Sequence, residues 1–329
     1  MTDFCYIFSP MILFLLTAPL YYGAVFCYYV SMTENEFLLN DRIQKIQSIN
    51  FMYNLLDKSY ISFSGGKDST VLSFLVDLAL PDNKIPRIHV NTGIELKMIE
   101  DFVKKLAEND KRIVIVNSGV NIKQMLKEIG YPFKSKFHSY LVHSYQRNGY
   151  LTPSMEHYID KGYGYSKKCP AKLKYQFTQS CNLKISNKCC DTLKKKVIKK
   201  KIDELGKTIN MNGMRSSEEG LRGMSSGCIL MKGDGITAFH PLFPVTDQWM
   251  SWFIKEYKIE LSPIYYPPYN FERTGCKGCP FNKNLQKELN VLQQFFPGEY
   301  RQCEDIWEPC YTEMRRIKFR LKPKETFLF

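Results

Sequence analysis

A chain of 329 residues, 44% of them apolar and with a formal charge of +13, is long enough to bury a full α/β core with room for an appendage. Its ordinary apolar content and lack of low-complexity tracts exclude a disordered chain, and the positive charge suits polyanionic partners, nucleotide or nucleic acid. The 11 cysteines are not spaced as in a small secreted scaffold, and an odd count argues against complete internal pairing, so the chain is read as a protein of a reducing, cytoplasmic compartment.

In chain order, Phe4 to Val30 carries no charge and is long enough to cross a bilayer, yet lacks the basic start of a signal peptide. Met32 then opens a polar, helix-like run. The stretch 1–31 is read as an extension before a start at Met32, with a membrane tether on a cytosolic enzyme as the alternative. From Leu38 to Leu56 apolar residues recur at helical spacing (Leu39, Ile43, Ile46, Ile49, Tyr53), which predicts a helix leading into a strand.

That strand, Tyr60 to Phe63, ends in Ser64-Gly65-Gly66-Lys67-Asp68-Ser69, and a helix opens near Asp68. A strand that ends in glycines and restarts as a helix leaves unpaired N–H groups and a positive dipole end facing one point. Gly65 and Gly66 admit a close ligand, Lys67 adds a mobile charge, and the Ser64 and Ser69 hydroxyls add hydrogen bonds. The segment lacks the four residues that a Walker A loop needs between its first glycine and Gly-Lys.

Strands follow at Arg87–Val90 and Arg112–Val116, with helices over Met98–Glu108 and Ile122–Ile129; a fourth strand spans Lys207–Met211 and a fifth begins at Thr237–His240. The alternation predicts an α/β fold, a parallel sheet with crossover helices. In open sheets of this kind ligands sit outside the carboxyl ends of the strands, where loop 64–69 and Asn91-Thr92-Gly93 both fall. Tyr131 to Gln179 has no clear periodicity. Lys194 to Lys201 reads as an exposed lysine face, and His138 and His143 as incidental rather than metal-binding. Thr246 caps a helix through Tyr257, and Ser262 to Pro268 reads as a linker. Three segments result: 1–31, a nucleotide-binding domain over 32–265, and a cysteine-bearing helical segment over 266–329.

Cys189-Cys190 and Cys276-x-x-Cys279 supply four thiolates, enough for a 4Fe-4S cluster or a structural zinc. Vicinal cysteines are awkward for a zinc ribbon, which favours iron–sulfur. Cys5, Cys27, Cys181, Cys228, Cys303 and Cys310 read as buried thiols.

These motifs resemble a known family. Ser64 to Ser69 looks like the PP-loop of the ATP pyrophosphatases. Together with Asn91-Thr92-Gly93, Cys189-Cys190-Asp-Thr-Leu-Lys194, Gly213-Met-Arg215-Ser-Ser-Glu218, Arg222 and Thr274-Gly-Cys276-Lys-Gly-Cys279, it follows the order seen in phosphoadenosine phosphosulfate reductase family proteins. The likeness is to the iron–sulfur adenylylsulfate reductase branch and to reductase-like proteins of phages and mobile elements. It implies an adenine nucleotide held by Ser64, Gly65, Gly66, Lys67, Asp68, Ser69, Asn91, Thr92, Gly93 and Gly213. Arg215 and Arg222 would neutralise phosphate or sulfate oxygens, with Lys67, Asp68 and Arg215 as the catalytic groups and the four cysteines on a cluster.

The chain departs from the family at Glu219, where serine is usual, and at His240, where asparagine is usual. It also lacks the terminal Glu-Cys-Gly-Leu-His segment whose cysteine attacks sulfur. Cys303 and Cys310 are poor substitutes beside Glu304, Asp305 and Glu308. Two enzyme readings follow. One is cleavage of ATP with magnesium to AMP and pyrophosphate in sulfur transfer, as in the DNA phosphorothioation sulfurtransferases, with a nucleic-acid acceptor. The other is reduction of a sulfonucleotide, with a thioredoxin-like donor. A nucleotide-sensing or nucleic-acid-binding module is the non-enzyme alternative, and a second copy of the chain is a further candidate partner.

Overall fold

The computed structural model describes residues 32–162, 168–217 and 227–324; the stretch 1–31, Glu218, Glu219 and Arg222 lie outside them. The first helix, α1 (Glu34–Tyr53), opens on a reciprocal cap: Thr33 Oγ1 accepts from the Glu36 amide at 3.3 Å, and the Glu36 carboxylate accepts from the Thr33 amide at 2.8 Å. Asn54 ends it in the left-handed region. A single turn, Leu55–Lys58, then delivers the chain into β1 (Ser59–Ser62).

Six strands form one sheet. Besides β1 they are β2 (Arg87–Asn91), β3 (Ile113–Asn117), β4 (Ile209–Met211), β5 (Ile229–Lys232) and β6 (Gly235–Phe239), in the spatial order β3-β2-β1-β4-β6-β5. All neighbours are parallel except β5, which pairs antiparallel with β6 at the edge. The order reverses at β1, so the crevice beyond its carboxyl end lies at the topological switch point of the sheet.

The crossovers carry α2 (Lys67–Ala79), α3 (Lys97–Asn109), α4 (Ile122–Ile129), α5 (Lys136–Asn148), α6 (Pro153–Asp160) and α7 (Lys196–Glu204), and α8 (Asp247–Glu256) follows the last strand. As expected, Thr246 caps α8 by accepting from the Trp249 amide at 3.2 Å. The aperiodic stretch after Tyr131 contains α5 and α6. They were not legible because polar and aromatic side chains alternate with the few apolar anchors, Leu141, Val142, Met155 and Tyr158, all buried. The tail forms three consecutive helices, α9 (Leu285–Phe295), α10 (Pro297–Ile306) and α11 (Glu308–Arg316).

Apolar burial falls into two clusters. One joins α1, α2 and α8 around Ile61, Met211, Phe239 and Trp249. The other joins α3, α5, α6 and the tail, and includes Cys189, Cys303 and Cys310. The stretch 262–268, expected as a linker, is packed: Ser262 and Ile264 are fully buried, and Ser262 Oγ donates to the Met98 carbonyl at 3.3 Å. Its prolines fix a turn against α3 instead of spacing two bodies apart. Among the described residues no helix is long and apolar enough to cross a membrane.

Candidate functional site

The loop after β1 has the form its glycines predict. Gly65 is left-handed at φ 70°, which turns the chain sharply before Gly66 caps α2. The Ser64 amide donates to Ser69 Oγ at 3.2 Å, and the Gly66 amide donates to Ser64 Oγ at 3.2 Å. Ser69 in turn donates to the Gly66 carbonyl at 2.9 Å. The two serines therefore brace the loop from inside.

A residue that sequence reasoning did not single out sits on this loop. The Lys67 amide donates to the Tyr265 hydroxyl at 2.9 Å, and that hydroxyl meets Thr274 Oγ1 at 3.1 Å. Thr274 thus links loop 64–69 to the segment leading into Cys276. The signal was faint: an aromatic in a proline-rich run carries no periodicity.

From β4, the chain Asn212-Gly213-Met214-Arg215 comes against the same turn. A Cβ on Gly213 would stand 2.8 Å from the Asp68 carbonyl oxygen, so glycine alone permits this approach. Arg215 is buried, at 7% exposure. Its Nε lies 3.1 Å from Asp68 Oδ1 and its Nη1 lies 2.9 Å from Asp247 Oδ1. The guanidinium thus sits at the mouth of the loop between two carboxylates, in ion-pair contact but without hydrogen-bond alignment through Nε or Nη1. His240, at the end of β6, is 1% exposed, and neither ring nitrogen has a hydrogen-bond partner among the described residues. Burial holds its pKa below the usual value, so the ring is neutral there.

The turn after β2 is built on Asn91 and Glu95. Asn91 Oδ1 accepts from the Gly93 amide at 2.9 Å. The buried Glu95 carboxylate accepts from the Thr92 amide at 2.9 Å and from Thr92 Oγ1 at 2.7 Å. Its other contact is Lys194 Nζ, at 3.4 Å, and its backbone forms an isolated antiparallel bridge with Cys276. One residue therefore ties the predicted nucleotide turn to both cysteine-bearing segments.

The four cysteines lie within electrostatic reach of one another. Cys189-Cys190 open a helix that widens into a π-helical turn over Asp191–Lys195 before continuing as α7; such turns recur at functional sites. Cys189 feels the charges of Cys190, Cys279 and Cys276, and Cys279 those of Cys276 and Cys190. The vicinal pair shares one proton: a hydrogen bond from Cys189 lowers Cys190, helped by Lys136 and Lys194, while the same bond and burial push Cys189 up. Burial raises Cys276 to about 11 and Cys279 further. Among the described residues no three His, Cys, Asp or Glu side chains converge tightly enough to hold a single metal ion.

The Cys276–Cys279 turn rests on the tail helices. The Gly278 amide donates to Glu288 Oε1 at 2.7 Å, and Trp307 Nε1 donates to the Lys277 carbonyl at 3.0 Å. The Tyr311 hydroxyl donates to the Gly278 carbonyl. Buried Lys277 pairs with Glu299 at 3.1 Å and bonds Gln302 at 2.7 Å. The spacing Trp307, Tyr311, Met314 was a helical signal for this platform, all three being buried. Cys303 and Cys310 are fully buried against it. Cys228 is also buried, as expected, whereas Cys181 is half-buried; Cys5 and Cys27 lie outside the described residues. His138 has both ring nitrogens occupied, by Tyr158 at 3.0 Å and Gln176 at 2.7 Å.

Residues 58–158 match the family model of the phosphoadenosine phosphosulfate reductase domain. An uncharacterized protein of Methanocaldococcus jannaschii is 36% identical over 103 residues, 29% of this chain and 25% of that relative, so the match spans a quarter of the relative's length. Among solved structures, the chain is similar to the phosphoadenylyl-sulfate reductase of Candida auris at 12% identity and TM-score 0.38, over 71% of this chain and 91% of that one. It is similar to the U34-tRNA thiolase of Methanococcus maripaludis, solved with its 4Fe-4S cluster, at 14% identity and TM-score 0.38, over 84% and 79%. The glycine loop and the β2 turn both lie within residues 58–158, the part of this chain that is similar to the phosphoadenosine phosphosulfate reductase domain.

Proposed function

We propose that the chain is an enzyme that binds an adenine nucleotide at loop 64–69 and cleaves it at the α-phosphate, ATP to AMP and pyrophosphate, in sulfur transfer. An acceptor oxygen attacks the α-phosphorus, the bond to the bridging oxygen breaks, and pyrophosphate leaves with its electron pair. A sulfur nucleophile then displaces AMP from the adenylated acceptor. In this reading Lys67 and the loop hold the phosphates, Arg215 answers the charge that develops on them, and magnesium would neutralise the triphosphate.

Cys189, Cys190, Cys276 and Cys279 fit a 4Fe-4S cluster better than a zinc ion. Four thiolates would suffice for either group, and the vicinal pair Cys189-Cys190 is the feature that is awkward for zinc, which usually takes two Cys-x-x-Cys knuckles. Bound there, a cluster supplies iron to which sulfur can attach. Lys194, between Glu95 and the Cys276 and Cys190 sulfurs, offsets the charge of the thiolates.

The observation that carries this reading is Glu95, which joins the nucleotide turn to the thiol-bearing segments. The alternative, sulfonucleotide reduction, needs a thiol that can reach the nucleotide, and the tail thiols Cys303 and Cys310 are fully enclosed. The test is anaerobic purification, absorbance near 400 nm for thiolate-bound iron, then ATP with magnesium and, separately, sulfonucleotides with thioredoxin. Pyrophosphate release supports the proposal. Sulfite release without pyrophosphate replaces it with the reductase reading, and tight nucleotide binding with neither product replaces it with a sensor.

A further inference from the structure

A second region of α5 carries chemistry that the nucleotide site does not use. An open cavity of about 390 Å³ is lined by His143, Gln146, Arg147, Asn182 and Lys184, with no carboxylate among them. Lys188 is exposed and follows four residues after Lys184 on the same segment. Gln146 makes the surface rigid: its Nε2 donates to the Leu183 carbonyl at 2.8 Å, and its Oε1 accepts from the Ile185 amide at 3.0 Å. Segment 182–188 is thus fastened to α5 and continues directly into Cys189-Cys190.

Along α5, Tyr140, His143 and Arg147 recur at i, i+3 and i+7, so they share one face, and Tyr150 follows just past its end. Tyr140 and Tyr150 are 51% and 63% exposed, large aromatic surfaces left in water beside a cluster of cations. Among the described residues Arg147, Lys184 and Lys188 enter no ion pair. The lysine run of α7 differs: Lys195, Lys199 and Lys201 pair with Asp191, Asp203 and Glu204 of the same helical segment. Its charge is largely answered at home, and the charge around His143 is not.

We infer that this face of α5, with Lys184 and Lys188, is a docking surface for single-stranded nucleic acid, the cations tracking the phosphates and Tyr140 and Tyr150 stacking bases. The inference deepens the proposed transfer reaction by naming the chemical class of its acceptor, and it rests on that reading for the acceptor's role. Binding itself is independent of ATP cleavage, so the two can fail separately.

The test is fluorescence anisotropy of the full chain with a fluorescein-labelled single-stranded RNA 20-mer at several KCl concentrations, without nucleotide. Binding is expected to weaken linearly in log–log form with salt. Arg147→Ala with Lys184→Ala should lower that slope by about 1–2. Tyr140→Ala with Tyr150→Ala should weaken binding at least about fivefold while leaving the slope unchanged. Circular dichroism melting of each variant separates lost contacts from lost fold, and these exposed positions should melt as the parent does. The inference is overturned if the parent chain does not bind at low salt, or if blunt duplex competes equally with the single strand. It is also overturned if the loss appears only in Lys196→Ala with Lys200→Ala on α7.

Discussion

Glu95 pairs its backbone with Cys276 in an isolated antiparallel bridge while its carboxylate holds the Thr92 amide at 2.9 Å. Residues far apart in the chain are thereby placed on the two sides of one short link. A buried carboxylate is stable only when its oxygens are satisfied, and here Thr92 and Lys194 do so. The charge of Glu95 is therefore answered from both the β2 turn and the cysteine helix. Any change at Glu95 should be read out at both places.

Glu95→Ala is accordingly expected to lower nucleotide affinity and iron content together. Lys194 would be left beside the thiols without its carboxylate, and the Thr92 amide and hydroxyl would lose their acceptor. Because the Lys194 side chain is 35% exposed, solvent screens its share, and the destabilisation should be about 1–2 kcal/mol. Urea unfolding measures the stability, and isothermal titration with ATP and absorbance near 400 nm measure the two functions. Loss of one function with the other intact would contradict the coupling.

Gly213→Ala tests the approach of β4 to the PP-loop. The added methyl would meet the Asp68 carbonyl oxygen at 2.8 Å and the Asp68 carbonyl carbon at 2.9 Å. Both are backbone atoms at the start of α2, so the strain can be relieved only by moving the loop. Overpacking of this kind costs about 1–3 kcal/mol. The expected result is a lower unfolding midpoint and weaker ATP binding, with Gly233→Ala, in open space at φ 59°, as a control that strains the backbone but leaves nucleotide affinity alone.

Cys190→Ser and Cys276→Ser come from opposite arms of the thiol set. Each should abolish the absorbance near 400 nm in anaerobically purified protein, because a cubane that loses a thiolate ligand is left with an open iron. Cys303→Ser should leave the absorbance in place yet reduce stability, since it puts a hydroxyl into an apolar, fully buried position. The pattern separates ligands from packing thiols. Retention of the chromophore in both arm variants would refute the assignment of the four cysteines.

How much of this was legible in the sequence differs by element. The PP-loop and the β2 turn could be read because glycines and short polar residues fix local geometry, and Gly65 does take a left-handed φ of 70°. The thiol set could be read as two pairs, but nothing local announced that Glu95 would bridge to Cys276. That pairing depends on how the tail folds back over α3. Tyr265 and the buried Lys277 were missed for the same reason: their partners, Lys67 and Glu299, are distant in sequence. The edge hairpin of β5 and β6 is only half legible, because its turn is just Gly233-Asp234, directly before Gly235 opens β6. Arg222 lies outside the described residues, so its expected role stays a proposal.

His138 makes acid stability measurable apart from the site. Burial among Tyr158, Gln176 and Phe177 holds its pKa at about 4, against an ordinary value of 6.5, with Lys134 and Arg320 adding to the depression and the Gln176 bond opposing it. Below pH 6.5 the unfolded chain takes up a proton at this ring and the folded chain does not, so the contribution is complete above 6.5. It is lost progressively as pH falls towards 4, and the full shift corresponds to about 3 kcal/mol. His89 and His143 are also held down by burial and add to the slope, so the informative quantity is a difference. His138→Gln removes one titrating group, and its unfolding free energy should fall less steeply between pH 6.5 and 4 than that of the parent chain. Parallel curves would show that the imidazole is protonated in the fold, with Tyr158 and Gln176 both accepting from it.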